Sequence, residues 1–236
     1  MEISDTQSSN TLFHMTPSFE NIKGILTYGF YPHYCLENLG FLSEDNFHEL
    51  PIPMVSFCDI PLSRIKRHLN KYGNYGIGMK KEWGMTIGIS PVFYIENKSK
   101  TKKNVKYDII ITITELLYFC KAYEGNLPQR DNINIRFYDE REWRYVPRMD
   151  NELKTLMSVK QYKAKRVGGE NKLNLRISNS VKFTPDDIKY IIVEKENELL
   201  QAVDDIMTIK SNDYPYNTLK KLTTRLISAE SLTEDF

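Results

Sequence analysis

The chain has 236 residues, 41% of them hydrophobic, and a formal net charge of +1 at pH 7. A chain of this size and composition can bury a core without a metal or disulfide staple, and its near-neutral charge excludes whole-molecule electrostatic capture of nucleic acid while leaving room for a local basic patch. The cysteines Cys35, Cys58 and Cys120 have apolar neighbours and no CxxC spacing, and the four histidines are scattered, so buried free thiols and no zinc site are expected.

Residues 1–10 are polar and acidic and read as neither a signal nor a transit peptide. No apolar run reaches bilayer-spanning length, so no membrane contact is expected. Residues 11–15 predict a short strand. Thr16 and Pro17 then suit the cap and first position of a helix, with Phe19, Ile22, Ile25 and Leu26 on one face and Gly29 as the stop. His14 therefore sits where a strand hands over to a helix. Residues 30–53 read as a long aromatic-rich loop. Residues 54–58 predict a buried strand. Pro61 opens a helix with Leu62, Ile65 and Leu69 inward and Arg64, Lys66 and Arg67 outward. Tyr72 to Gly78 carries three glycines among two tyrosines, the pattern of a tight turn feeding a strand.

A short helix follows Lys80 and Lys81, then a strand over 90–95 and a basic loop over 97–104. The run 107–123 is β-branched, but its apolar positions recur at helical spacing, and a helix is predicted. Residues 134–146 predict a strand. Residues 158–183 form a basic excursion or hairpin around Gly168-Gly169. A strand over 188–193, capped by Thr184 to Asp187, leads to a helix over 196–207 and a short strand near 224–228. Short strands interleaved with helices, without a repeat or a strong linker, give an α+β single domain over 1–236 with 1–10 and 229–236 as flexible ends.

The chemistry concentrates in Tyr138-Asp139-Glu140-Arg141-Glu142-Trp143-Arg144. In an extended strand Glu140, Glu142 and Arg144 share one side. Two carboxylates at that spacing repel unless one is protonated, both are solvated or nearby arginines compensate. An exposed charge ladder is the plainer alternative. A lone histidine such as His14 more often packs or caps than catalyses. Tyr72 to Gly78 lacks the lysine of a phosphate-cradling loop, and no GxGxxG turn is present.

The order of these parts is a His-x-Thr strand, a helix ended by Gly, a Tyr/Gly-rich strand start and a later strand glutamate. It resembles the His–Tyr–Glu arrangement of one branch of the ADP-ribosyltransferase superfamily. More closely, the chain resembles the AbiGi family of bacterial abortive-infection phage-resistance proteins. The resemblance rests on Leu12-Phe13-His14-Met15-Thr16, Gly29-Phe30-Tyr31-Pro32, Met54 to Leu62, Tyr72 to Gly78 and Phe137 to Arg144. It implies an ADP-ribosyltransferase-like fold of short, mixed-direction strands in a split sheet with flanking helices, in a cytoplasmic protein.

If the superfamily resemblance carries activity, NAD is the substrate and no metal is needed. Glu142 then stabilises the oxocarbenium-like sugar, with Glu140 as its accessory. His14 holds the adenosine ribose, Thr16 adds a contact, Tyr75 or Tyr72 stacks on nicotinamide, and Arg144 or Arg64 meets the pyrophosphate. The acceptor stays open, and net charge does not favour nucleic acid in that role. That reading is an NAD-dependent, ADP-ribosyltransferase-like toxin of anti-phage abortive infection, and two other readings stand beside it. One is an inactive antitoxin or regulator on the same fold, binding a toxin, a phage protein or a nucleotide. The other is a nucleic-acid-binding domain using the 98–106 loop and the Tyr162 to Arg166 run.

Overall fold

The computed structural model describes residues 9–42, 49–96, 114–126, 134–147, 157–167 and 180–235. In chain order the elements begin with β1 (Thr11–Thr16), α1 (Phe19–Tyr28), β2 (His33–Asn38) and β3 (Glu49–Cys58). Next come α2 (Lys66–Tyr72), β4 (Tyr75–Lys80), α3 (Lys81–Thr86), β5 (Ser90–Pro91) and β6 (Phe93–Ile95). They are followed by α4 (Thr114–Leu117), β7 (Cys120–Ala122), β8 (Glu124–Asn126), β9 (Asn134–Arg136) and β10 (Glu142–Tyr145). The chain continues through α5 (Val159–Val167), β11 (Ile188–Val193), α6 (Leu199–Lys210), α7 (Tyr216–Thr223), β12 (Leu226–Ser228) and α8 (Ala229–Asp235). The fold is α+β, and the residues group into two compact units.

The first unit draws on residues 1–31, 56–88 and 180–236. Its strands lie in the order β12-β11-β4-β1, and Phe13 of β1 pairs with Cys58 at the end of β3. β1 and β4 are antiparallel, from Thr11 opposite Lys80 to Thr16 opposite Tyr75. β11 runs antiparallel to β4 and parallel to β12, so the sheet is mixed. α1 and α6 pack together and bury Ile22, Leu26, Ala202 and Ile206 at helical spacing. On a second cluster, Phe13, Ile65, Leu69 and Ile192 meet Ala229 and Leu232.

α1 starts two residues later than expected. Ser18, not Thr16, is its cap and accepts from the Asn21 backbone N–H, because β1 continues through Thr16. Gly29 ends the helix at φ 85° as predicted. Gly73 stands at φ 119° between α2 and β4, where a Cβ would come within 2.4 Å of the Thr16 carbonyl oxygen. The acidic end, expected to be flexible, is instead helix α8, held by buried Leu232. α7 is a helix the sequence reading did not find, and it buries Leu219 and Leu222.

The second unit draws on residues 32–55 and 89–179. Part of the expected long loop at 30–53 is the strand pair β2–β3, with His33 opposite Met54 and Asn38 opposite Glu49. The aromatic and proline content disguised it. Pro51 and Pro53 are two apart, so both remove a donor from the same edge of β3 and leave the other edge intact. β5 and β10 are antiparallel, β6 and β7 parallel, and β8 and β9 antiparallel.

The predicted strand at 90–95 divides into β5 and β6, with Val92 donating to the Glu142 carbonyl between them. The helix predicted over 107–123 lies partly outside the described residues. Within them only Thr114–Leu117 is helical, and Cys120–Ala122 is a strand pairing with β6. The strand predicted over 134–146 breaks at a 3-10 turn, Phe137–Glu140, where Arg141 adopts φ 43°. The basic stretch after Ser158 begins as helix α5 rather than a hairpin, and Gly168-Gly169 lies outside the described residues. The core of this unit is Leu39, Phe41, Leu50, Ile52, Met54, Leu117, Tyr118 and Cys120.

Candidate functional site

β10 is four residues long and alternates strictly. Glu142 and Arg144 are buried, while Trp143 and Tyr145 are half-buried. The period-2 reading of Glu142 and Arg144 therefore holds, but Glu140 belongs to the preceding turn and not to the strand. Arg144 is fully enclosed, at 0% exposure. Its Nε donates to Glu142 Oε1 at 2.8 Å, its Nη2 reaches Glu142 Oε2 at 3.3 Å, and its Nη1 donates to the Tyr118 carbonyl at 2.8 Å. Nη2 also pairs with Glu37 Oε2 at 3.0 Å. From β7, Lys121 Nζ donates to Glu142 Oε2 at 2.6 Å and to Glu140 Oε2 at 3.0 Å. The Glu142 backbone N–H donates to the Tyr94 hydroxyl at 2.8 Å.

Three carboxylates and two cations thus share one largely buried network. Burial alone would raise the Glu142 carboxyl, but the Lys121 ammonium and the Arg144 guanidinium overcome it and hold that acid well below the usual carboxylate range. Burial pulls the Lys121 ammonium down, and Glu142, Glu37 and Glu140 more than reverse this. Glu142 is therefore an anion with both oxygens engaged by cations. Sequence reasoning missed Lys121 and Glu37. Lys121 is a single cation between Cys120 and Ala122, and such a residue in an apolar run is itself a sign of a buried partner.

The other predicted site residues belong to the first unit. His14 Nδ1 donates to the Ser56 carbonyl at 2.9 Å, and its ring meets Phe30 edge-on at 5.4 Å and Phe57 at 5.7 Å. Thr16 is buried and its hydroxyl accepts from Asn21 Nδ2 at 2.7 Å. Tyr75, opposite Thr16 in the sheet, directs its hydroxyl to Glu198 Oε1 at 3.0 Å and Glu194 Oε2 at 3.3 Å. Burial, followed by the Glu198 hydrogen bond, raises its pKa. Tyr72 ends α2 at 40% exposure, with the Lys71 ammonium 4.9 Å from its ring centroid. Arg64 is exposed on a 3-10 turn. Thr16 and Tyr75 are brought together, while Tyr72 faces His68 of its own helix.

Cys35, Cys58 and Cys120 are free thiols, and burial pushes Cys35 up to about 12. Among the described residues no group of His, Cys, Asp and Glu could hold a metal ion, and no helix is long and apolar enough to cross a membrane.

A family model described as "Putative abortive phage resistance protein AbiGi, antitoxin" matches residues 28–194. The chain belongs to the AbiGi family. The abortive phage resistance protein AbiGi of Lactococcus lactis subsp. cremoris is 29% identical, over 70% of this chain and 82% of that protein. No solved structure matches. The AbiGi span contains Glu37, Lys121, Glu140, Glu142 and Arg144 together with Tyr72 and Tyr75, whereas His14 and Thr16 precede it.

Proposed function

We propose that this chain is the antitoxin-type member of a phage-defence pair and acts by binding a separately encoded toxin rather than by turning over NAD. The observation that carries this reading is the state of Glu142. An ADP-ribosyl transfer asks for a carboxylate presented to a developing sugar cation. Here Lys121 and Arg144 already neutralise that carboxylate inside the protein. Glu142 then acts as the keystone of its unit, and the word antitoxin in the family description fits a binding role.

Two measurements test the proposal. Expression of the neighbouring reading frame alone should arrest growth, and co-expression of this chain should restore it. The purified chain, incubated with NAD, should release no nicotinamide above a protein-free blank. Nicotinamide release that the Glu142→Gln change abolishes, in a variant shown to be folded, would replace this reading with the transferase one.

A further inference from the structure

Lys210, the last residue of α6, is 8% exposed, and among the described residues its ammonium makes no hydrogen bond or ion pair. The Tyr214 ring centroid lies 5.7 Å from it. Burial pulls its pKa below the ordinary lysine value. Asp213 opposes that shift without forming an ion pair, and the Lys182 ammonium adds to it. Lys182 arrives on another segment. Val181 exchanges backbone hydrogen bonds with Phe30, and the next side chain, Lys182, donates to the Tyr28 carbonyl at 3.0 Å. Among the described residues Lys182 also makes no ion pair. Tyr28 is the last residue of α1, and α1 packs along α6, with Lys23 3.7 Å from Asp205. Two ammonium groups thus stand at two adjoining helix ends. The partial negative charge of those ends explains why they tolerate each other without a carboxylate. Each ammonium carries three N–H groups, and among the described residues a protein acceptor engages only one of them, on Lys182.

We propose that Lys210 and Lys182 form a binding site for a dianionic phosphate, as the free ion or as a monoester. A carboxylate brings one charge, whereas a phosphate monoester brings about −1.5 to −2 near neutral pH on three acceptor oxygens, which matches two cations. Hydrogen bonds to a charged group gain strength where water is excluded. Lys210 supplies a buried donor of that kind, and Lys182 an exposed one at the entrance. Tyr28 stands beside Lys182 at 51% exposure, with the Tyr31 ring 6.3 Å from its own. These rings give the organic part of an ester an aromatic surface to lie on. Each of the two phosphates of NAD carries a single charge, so NAD is not such a ligand. The plainer alternative is a lysine whose stem covers apolar surface and whose head serves a helix end, and it gives phosphate no effect. This inference does not depend on the antitoxin proposal, because the toxin rescue and the phosphate binding are read separately.

The test is thermal melting of the full chain with inorganic phosphate, against sodium chloride at matched ionic strength. A saturable rise of about 3–6 °C is expected at a roughly tenfold excess over Kd. Lys210→Met and Lys182→Met should each weaken binding on the order of tenfold or more, since each removes a charge-assisted hydrogen bond. Lys220→Met, at an exposed position of α7, should leave the rise intact. Should Lys210→Met misfold, the exposed Lys182→Met carries the test. Tighter binding of adenosine monophosphate than of inorganic phosphate assigns the site to a monoester, and equal or weaker binding assigns it to the free ion. A phosphate melt that matches the sodium chloride control overturns the proposal. So does an equal rise with acetate, or a full phosphate effect in folded Lys182→Met.

Discussion

Glu142 shows how one side chain can be chemically suggestive and structurally committed at once. Its carboxylate is buried and doubly paired, so removing the charge strands Arg144 and Lys121 in a poor solvent for ions. Breaking a buried pair by removing one partner costs about 3–5 kcal/mol. Glu142→Gln should therefore lower the unfolding free energy by roughly that amount, measured by urea denaturation. An exposed ladder residue would lose well under about 1 kcal/mol.

The pH dependence follows the same residue. Its folded pKa is depressed, so its contribution is fully present above the unfolded value of about 4.3 and is lost as pH falls toward the folded one. Stability should hold down to about pH 5 and fall in stronger acid, and the fall should be shallower in Glu142→Gln. The shared side of Glu142 and Arg144 was legible from strand period alone. Glu140 was not, because Arg141 turns left-handed and ends the alternation. Lys121 and Glu37 come from β7 and β2, and only folding brings them to Arg144 and Glu142.

Elements were read best where local chemistry punctuates them. α1 ended at Gly29, and β4 followed the turn at Gly73, as the glycine pattern required. Gly73→Ala should cost about 1–3 kcal/mol, since its positive φ and the nearby Thr16 carbonyl both oppose a side chain. Gly24 offers the control. It lies inside α1, where an added Cβ meets nothing within 4 Å, so Gly24→Ala should stabilise by about 1 kcal/mol in the same assay. α8 was misread because Glu230, Glu234 and Asp235 suggest a solvated tail. Leu232 and Ala229 face inward between them, and Leu232→Ala should cost about 2–5 kcal/mol. β2 was misread because its pairing partner carries two prolines.

At the scale of the molecule, the binding reading makes a prediction about ligands. A ligand of the folded state raises stability by an amount set by its concentration over its Kd, about 2.7 kcal/mol at a hundredfold excess. NAD at millimolar concentration should leave the melting temperature unchanged. A dose-dependent rise would favour a nucleotide site, with or without turnover.

Composition and periodicity determined the α+β class, the free cysteines and the element boundaries marked by Gly29 and Gly73, because those depend on neighbours along the chain. The surroundings of Glu142 were decided by tertiary structure. A carboxylate is a catalyst, a surface charge or a buried anchor according to which cations surround it. Lys121, Glu37 and the Tyr118 carbonyl reach this network from residues distant along the chain.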